Sequence, residues 1–163
     1  MPALHRTKTR IYTELLEQGK RPLRPGVANL LRAASDAGLK LAIASTTTSA
    51  NVDALLRANL NQTPHLAFSV IACADQVRAK KPAPDLYNLV LSSLHLPATG
   101  CIAFEDSLNG LRAAKAAGLV TVVTPSRWNA TEDFSAADRV VASLEEIDVP
   151  ALERLLGEAL AAA

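Results

Sequence analysis

Apolar residues occur along the chain in two patterns that alternate: short continuous runs, and segments in which they are three and four positions apart. Short continuous apolar runs predict a buried strand at residues 40–45 and further strands at 67–72, 101–105, 119–124 and 139–142. Between these runs, apolar residues three and four positions apart predict amphipathic helices at 4–17, 25–38, 49–60, 82–94, 107–117 and 150–162. Strands and helices that alternate in this way predict an α/β fold, in which a parallel sheet carries helices on both faces.

The composition suits one globular domain and argues against a nucleic-acid partner. The 163 residues are 49% hydrophobic and 20% charged, which is enough for a sizeable buried core. The 17 basic and 16 acidic residues leave a net charge of +1, so no basic surface is indicated. One Trp, two Tyr and three Phe are too few for base-stacking platforms. We therefore expect no nucleic-acid partner.

Cysteine usage and hydropathy indicate a cytoplasmic protein. Cys73 and Cys101 form neither a C-x-x-C motif nor a zinc-ligand spacing, and we expect two reduced, buried thiols. No apolar run approaches the roughly 20 residues that span a bilayer, and no signal peptide precedes the chain. These features predict a cytoplasmic location and no membrane partner.

Polar side chains follow three of the predicted strands at their carboxyl ends. Ser45 and Thr46 end the first strand, and Lys81 lies in a Lys-Pro step after the second. Glu105 and Asp106 end the third strand. Because the carboxyl ends of parallel strands meet at one edge of a sheet, we expect the three groups to converge on a common rim.

Each group also has a purely structural explanation. Ser45 and Thr46 can cap a helix, although three threonines between serines are more than one cap needs. Lys81 can be a solvated lysine ahead of a helix that begins with proline. The acid pair can stabilise the N-terminus of the next helix through the helix dipole, with Ser107 as its cap. The order of the three groups is more informative than any one of them.

A hydroxyl, a lysine and two carboxylates can together bind a phosphoryl group and a metal ion. Hydroxyl and backbone N–H groups hold phosphoryl oxygens, and a lysine neutralises their charge. Carboxylate oxygens are hard ligands that suit Mg²⁺, which can bridge to the phosphate. Small residues in the helix after Asp106 let that helix lie close to the sheet and hold Asp106 in place. The sequence therefore predicts phosphate and Mg²⁺ at this rim.

Six ordered stretches resemble the haloacid dehalogenase superfamily of phosphatases and phosphomutases. They are "LHRTKT", "PLRPGVANLL", "IASTTTSANVDALL", "AKKPAPDLYNLVL", "FEDSLNGLRAAKAAGL" and "VTPS" followed by "TEDF". More narrowly, they resemble the CbbY-like sugar-phosphate phosphatases, which are close to β-phosphoglucomutase. The resemblance implies a Rossmann-like fold, a Mg²⁺ cofactor and hydrolysis of a small phosphorylated sugar, either a sugar phosphate or a sugar bisphosphate.

The resemblance also implies roles for individual residues. Ser45, followed by Thr46, matches the phosphate-binding hydroxyl of the family's second motif. Lys81 matches the lysine that contacts the phosphate and the nucleophile. Asp106 matches a metal ligand, and Glu105 beside it is either a second ligand or an acid next to the ligand.

Two further cations are candidates for substrate contacts. Lys8 in "LHRTKT" sits at the junction between cap and core, where related enzymes contact their substrate. Arg24 in "PLRPG" is a candidate for a second phosphate contact. For both residues, a solvated surface charge is an equally good explanation.

The family's first motif, D-x-D-G-T, has no counterpart in the sequence. In the family this motif follows a central strand and supplies the nucleophile and the general acid and base. We interpret residues 1–20 as a remnant of the helical cap, formed by its last helix, and residues 21–163 as the core domain. The first, central strand and most of the cap are then missing, through an N-terminal truncation, a mis-started gene model or decay to a remnant.

This interpretation has chemical and structural consequences. Without a nucleophile, we expect no phosphatase turnover from this polypeptide alone. Without the central strand, we expect the strands that end at Ser45 and Glu105 not to pair with each other. Their open edges favour poor solubility, self-association or pairing with the missing N-terminal segment.

The order and the presence of motifs distinguish the haloacid dehalogenase resemblance from other protein classes. The main alternative is a catalytically inactive phosphate-binding or interaction protein on the same scaffold. A phosphoreceiver domain has similar groups, but its acids come first and its Lys-Pro last, whereas the order here is Ser45, Lys81 and Glu105. The sequence contains neither the G-x-G-x-x-G of a dinucleotide-binding domain nor the G-x-S-x-G of an α/β-hydrolase.

Overall fold

The computed structural model describes residues 22–60 and 68–162, in which helices and strands alternate as expected. The helices are α1 (Val27–Asp36), α2 (Ser49–Leu60), α3 (Asp85–Leu94), α4 (Leu108–Ala116) and α5 (Val149–Ala161). The strands are β1 (Leu41–Ser45), β2 (Phe68–Cys73), β3 (Ile102–Glu105), β4 (Val120–Val123) and β5 (Arg139–Val140). The helix expected at residues 4–17 and the proposed division of the chain after residue 20 lie outside the described ranges. Within those ranges, every helix is too short or too polar to cross a membrane.

The strands form two parallel sheets. β1 pairs with β2, while β3, β4 and β5 pair in that order. In residues 22–60 and 68–162, β1 and β3 are not hydrogen bonded to each other. This confirms the expectation that the strands ending at Ser45 and Glu105 do not pair directly. We call the space between β1 and β3 the inter-strand gap.

Helix α3 joins the two sheets on one face. Leu86 of α3 packs with Ala72 of β2 in one buried cluster. Tyr87, the next residue, packs with Ala103 of β3 in a second buried cluster. Ala44 of β1 contacts both clusters. The helix therefore holds the carboxyl ends of β1 and β3 side by side.

Helices cover both faces of the sheet that contains β3 and β4. Leu30 of α1 and Leu152 of α5 pack against Val122 of β4. Ala113 of α4 packs against Ala103 of β3, which belongs to the opposite face because side chains alternate along a strand. This arrangement confirms the predicted α/β class, with helices on both faces of parallel strands.

Helix α4 lies close to β3 because its small residues face the strand. Ala113 and Ala114 are fully buried, as the run of small residues predicted. Nearer the start of the helix, a Cβ added to Gly110 would come within 1.8 Å of Oε2 of Glu105. Ser107 caps the helix, and its hydroxyl oxygen accepts the N–H of Gly110. Glycine at position 110 therefore lets the first turn of α4 lie directly against the Glu105 carboxylate.

Helix α3 begins later than the apolar periodicity predicted. The expected helix spanned residues 82–94, whereas the observed helix is Asp85–Leu94. A residue that precedes proline is disfavoured in the helical conformation, and this applies to both Lys81 and Ala83. The Lys-Pro-Ala-Pro segment therefore forms a turn ahead of the helix. Lys81 is presented from a loop, as expected.

Asp138 connects α4, β4 and the start of β5. Its Oδ2 accepts from Nζ of Lys115 at 2.7 Å and from the backbone N–H of Thr121 at 2.7 Å. Burial raises the pKa of Asp138, but the hydrogen bonds from Lys115 and Thr121 and the Lys115 charge outweigh it. The pKa therefore lies below its ordinary value, and the charged carboxylate is the form that stabilises the fold.

We expect Gly110→Ala and Gly157→Ala to change stability in opposite directions. Alanine in place of glycine within a helix favours folding by about 1 kcal/mol, and nothing lies within 4 Å of a Cβ added at Gly157. At Gly110 the added atom displaces the Glu105 carboxylate, and overpacking of this kind costs about 1–3 kcal/mol. The two variants should differ by about 1 kcal/mol or more in the free energy of unfolding measured in urea. Equal values would contradict the close packing of α4 on Glu105.

Asp138→Asn is expected to lower the free energy of unfolding at pH 7 by about 1–2 kcal/mol, because it weakens two charge-assisted hydrogen bonds at a partly exposed position. The folded-state pKa of Asp138 is lowered, so its stabilisation is present above the ordinary carboxyl pKa of about 4 and is lost as the pH falls below it. Thermal unfolding should therefore show variant and wild type converging toward pH 3. Glu153→Gln, an exposed change on α5, is the control. A difference that persists undiminished at low pH would contradict the assignment.

Candidate active site

The ammonium group of Lys81 lies in the inter-strand gap and contacts both sides of it. Its Nζ donates to the backbone oxygen of Ala44 in β1 at 3.0 Å and to Oε1 of Glu105 at the end of β3. A third contact, at 3.3 Å, goes to the Tyr87 hydroxyl. The Lys81 side chain is only 12% exposed, and protein groups use all three of its N–H donors. Lys81 thus connects the carboxyl ends of the two sheets.

The Glu105 carboxylate points into the protein. Its side chain is 7% exposed, and its Oε1 accepts from both Lys81 and the Tyr87 hydroxyl. The sequence left open whether Glu105 is a metal ligand or an acid beside the ligand. Because Lys81 already neutralises its charge, the geometry favours the second alternative. The ligand role of Glu105 stays a prediction.

Tyr87 contacts the Lys81–Glu105 pair, and it was not among the site residues predicted from the sequence. The residue is buried in α3, its ring lies 4.7 Å from Nζ of Lys81, and its hydroxyl donates to Glu105. Burial, followed by the charge of Glu105 and the hydrogen bond to it, raises the pKa of Tyr87 above its ordinary value. The phenol therefore stays protonated and acts as a donor. The signal in the sequence was a tyrosine on the apolar stripe of a helix, because a buried hydroxyl needs a partner.

Ser45 is the last residue of β1. It directly follows Ala44, whose backbone oxygen accepts a hydrogen bond from Lys81. The Oγ of Ser45 accepts the N–H of Thr47 at 3.3 Å, which leaves its own hydroxyl proton available for a ligand. Thr46 is exposed beside it. Lys81 therefore contacts the residue before Ser45, and the phosphate-binding roles of Ser45 and Thr46 stay predictions.

Two further hydroxyls of the run, those of Thr47 and Ser49, make internal contacts, whereas the buried Oγ1 of Thr48 has no hydrogen-bond partner among the described residues. Oγ1 of Thr47 accepts from the side-chain amide of Asn51 at 2.8 Å. Ser49 is the first residue of α2 rather than its cap, and its hydroxyl donates to the carboxylate of Asp75. These structural hydrogen bonds account for Thr47 and Ser49 in a run that is longer than one helix cap requires.

Asp106 is exposed at the same edge, and its carboxylate has no hydrogen bond or ion pair to residues 22–60 or 68–162. Its backbone oxygen accepts from the N–H of Ser126 at 3.4 Å and from the side-chain amide of Asn129 at 3.1 Å. Mg²⁺ is usually held by one or two protein carboxylates together with water and phosphate oxygens, and the open carboxylate of Asp106 fits that donor set. The described ranges contain no group of three His, Cys, Asp or Glu residues that could hold a metal. Asp106 is therefore a single candidate ligand.

Other residues satisfy the N-terminus of α4. Ser107 accepts the N–H of Gly110, and Oε2 of Glu132 accepts the N–H of Leu108 at 2.7 Å. Glu132 comes from the loop after β4 and was not among the residues predicted from the sequence to have a role. Ser107 is thus the cap that the structural explanation of the acid pair expected, and the carboxylate that accepts a backbone N–H of this helix start is that of Glu132.

Arg24 also lies near the carboxyl edge but does not contact Lys81. Its guanidinium donates to the backbone oxygen of Thr124 at 2.7 Å and to that of Pro125 at 3.0 Å. Arg24 thus holds the segment after β4 in place through hydrogen bonds, and its charge is not fully solvated. Its phosphate contact stays a prediction, and Lys8 lies outside the described residues.

Known proteins that are similar to this chain share one family. A family model for haloacid dehalogenase-like hydrolases matches residues 3–118. Protein CbbY of Rhodobacter capsulatus is 48% identical over 152 residues, which cover 93% of this chain and 67% of that protein. The plasmid CbbY protein of Cupriavidus necator is 48% identical over 157 residues, which cover 96% of this chain and 62% of that protein. The chain thus spans about two thirds of the length of these relatives.

Solved structures agree with the sequence comparisons. The crystal structure of CbbY from Rhodobacter sphaeroides in complex with phosphate matches with a TM-score of 0.88 at 44% identity, over 93% of this chain and 68% of that one. The β-phosphoglucomutase of Clostridium difficile, at 20% identity and a TM-score of 0.78 over 94% of this chain and 66% of that one, shares the fold. Because the family model covers most of the chain and CbbY proteins share nearly half of its residues, the chain belongs to the haloacid dehalogenase-like hydrolase family, in the group of the CbbY proteins.

Proposed function

We propose that this chain is the core of a phosphatase that acts on a small phosphorylated sugar, a sugar phosphate or bisphosphate, through Mg²⁺-assisted phosphoryl transfer. One observation carries the proposal. Lys81 holds its ammonium between Ala44, the neighbour of Ser45, and Glu105, the neighbour of Asp106. These two contacts support a common rim for the Lys81 cation, the Ser45 hydroxyl and the open Asp106 carboxylate, which are the types of group that would hold a phosphate and a metal ion.

Relatives support the substrate class. The CbbY protein of Rhodobacter sphaeroides has been crystallised with phosphate and, as a mutant, with xylulose-(1,5)bisphosphate. A relative from Thermotoga maritima, 35% identical over 117 residues, is a phosphorylated carbohydrates phosphatase. Both proteins are longer than this chain, so their substrates serve here as a guide to the class of compound.

Each group has one task in the proposed reaction. The Ser45 hydroxyl donates to a phosphoryl oxygen, and Lys81 neutralises the charge on the phosphoryl group. Asp106 holds Mg²⁺, which when bound supplies Lewis-acid stabilisation of the phosphoryl oxygens. Glu105 keeps the Lys81 ammonium in place and has no direct contact with the phosphoryl group.

Turnover also needs a nucleophile, and the sequence contains no D-x-D motif to supply it. Asp106, the aspartate that directly follows a strand end, is already assigned to the metal. This observation favours a second candidate function, a catalytically inactive protein that binds phosphate or a partner on the same scaffold. The two candidates share the phosphate site and differ in whether turnover follows once a nucleophile is supplied from outside this sequence.

The full 163-residue chain is expected to bind inorganic phosphate, and to bind it more tightly with Mg²⁺, in isothermal titration calorimetry. Lys81→Met should weaken binding by roughly tenfold or more, because a hydrogen bond from a charged group is worth about 1.5–3 kcal/mol. Lys80→Met, at the exposed neighbouring lysine, is the matched control and should bind like wild type. Asp106→Asn should remove the Mg²⁺ dependence.

A second variant separates binding from folding in this experiment. Lys81→Met alone leaves the buried Glu105 charge unpaired, which is strongly destabilising. Combining Lys81→Met with Glu105→Gln removes both charges and nearly preserves their volumes. Unchanged phosphate affinity in this paired variant, or no phosphate binding by wild type, would refute the proposed site.

We expect the wild-type polypeptide alone, incubated with Mg²⁺ and a sugar bisphosphate, to release phosphate no faster than the paired variant does. The reason is that no aspartate nucleophile is in place. A colorimetric phosphate assay measures this directly. Phosphate binding without release is the result expected of both candidates for this polypeptide. Release that depends on Lys81 and Asp106 would mean that another group acts as the nucleophile, and it would eliminate the inactive candidate.

A further inference from the structure

We propose that Tyr87 is a positioning residue that orients Lys81 for phosphate. Its hydroxyl, carried by α3, helps to anchor the ammonium so that the third N–H points to the backbone oxygen of Ala44, the residue before Ser45. The inference rests on the proposed function, in which Lys81 binds phosphate. It adds a residue to which the family resemblance assigned no role.

The Tyr87 hydroxyl contacts both members of the buried ion pair. As a donor it bonds to Oε1 of Glu105, and as an acceptor it lies 3.3 Å from Nζ of Lys81. A phenol oxygen has one proton to donate and lone pairs to accept, so both contacts exist at once. The ring lies 4.7 Å from the same Nζ, within the range of a cation–π contact. The three side chains therefore form a closed triangle.

Of the three side chains in this triangle, Tyr87 is the one whose position is most restricted by packing. It is buried in a cluster with Ala103 and Leu119, and its neighbour Leu86 anchors α3 on β2 with no exposed surface. The side chain of lysine has more rotatable bonds than that of tyrosine, so it has more conformational entropy to lose. The position of the phenol is therefore determined by the helix, and the phenol in turn orders the more flexible Lys81.

The triangle determines which way the remaining N–H of Lys81 points. Glu105 and Tyr87 bind the ammonium from β3 and α3, whereas the third donor reaches the backbone oxygen of Ala44 in β1 at 3.0 Å. Ala44 directly precedes Ser45, the hydroxyl proposed to bind phosphate. A phosphoryl oxygen at this rim takes or shares the donor now on Ala44, while the other two contacts hold the ammonium. An ammonium oriented in advance loses less entropy when phosphate binds.

Tyr87→Phe removes the hydroxyl and keeps the ring. In the full chain with Mg²⁺, we expect this variant to bind inorganic phosphate about three- to tenfold more weakly, the effect of losing one hydrogen bond. Ser93→Ala is the matched control, because it removes a hydroxyl from the same helix that bonds only to the backbone oxygen of Leu89, at 2.8 Å. The control should bind phosphate like wild type.

A second measurement does not depend on phosphate. In wild type, the Lys81 ammonium should give a slowly exchanging ¹H–¹⁵N signal with a cross peak to the Tyr87 hydroxyl proton. Tyr87→Phe should broaden or remove the signal, and Ser93→Ala should retain it. A wild-type spectrum without that cross peak would overturn the proposal without any variant. The proposal would also be overturned if Tyr87→Phe lowered the melting temperature but left the phosphate affinity and the Lys81 signal unchanged. That result would assign Tyr87 to packing alone.

The outcomes also separate this inference from the proposed function. Loss of the Lys81 signal in Tyr87→Phe, in a chain whose wild type binds no phosphate, supports the positioning of Lys81 and refutes the phosphate site. Equal phosphate affinity in wild type and Tyr87→Phe, with the Lys80→Met control intact, supports the phosphate site and overturns the positioning role.

Discussion

The contact of the Lys81 ammonium with Ala44 and Glu105 is the interaction on which the candidate site depends. β1 and β3 do not pair in the described part of the chain, and a backbone oxygen of β1 binds a side chain in the gap between them. A buried ion pair is stable only where further hydrogen bonds compensate for the loss of water. Ala44 supplies such a bond to Lys81, and Tyr87 supplies one to Glu105. The pair thereby links two sheets at the edge where the functional groups lie.

Two helices set the geometry of that pair from different directions. Helix α3 packs on both sheets and carries Tyr87 against the carboxylate. Helix α4 approaches the same carboxylate so closely that position 110 has no room for a Cβ. Glu105 is therefore confined between a phenol, an ammonium and a helix backbone. This confinement keeps it turned inward and leaves the neighbouring Asp106 as the carboxylate that faces solvent.

Much of the fold was predictable because its signals are local. Apolar spacing located the strands and helices in the described ranges, and the start of α3 differed from the prediction because two prolines disfavour helix immediately before them. The Lys-Pro step correctly indicated a loop for Lys81. Tyr87 and Glu132 were missed because their partners are 18 and 24 residues away along the chain, and periodicity carries no information on such contacts. The same limit applied to Arg24, whose partners lie 100 and 101 residues away.

The sequence by itself determined the order of the elements, the parallel α/β class and the strand ends that carry Ser45, Lys81 and the acid pair. It could do so because hydrophobic periodicity and proline chemistry act over a few residues. Only the tertiary structure decided what each acid does. Adjacent residues at a strand end point in opposite directions, and which direction is buried depends on the helices that cover the strand. Here α3 and α4 cover the side of Glu105, which pairs with Lys81, and Asp106 is left exposed at the rim.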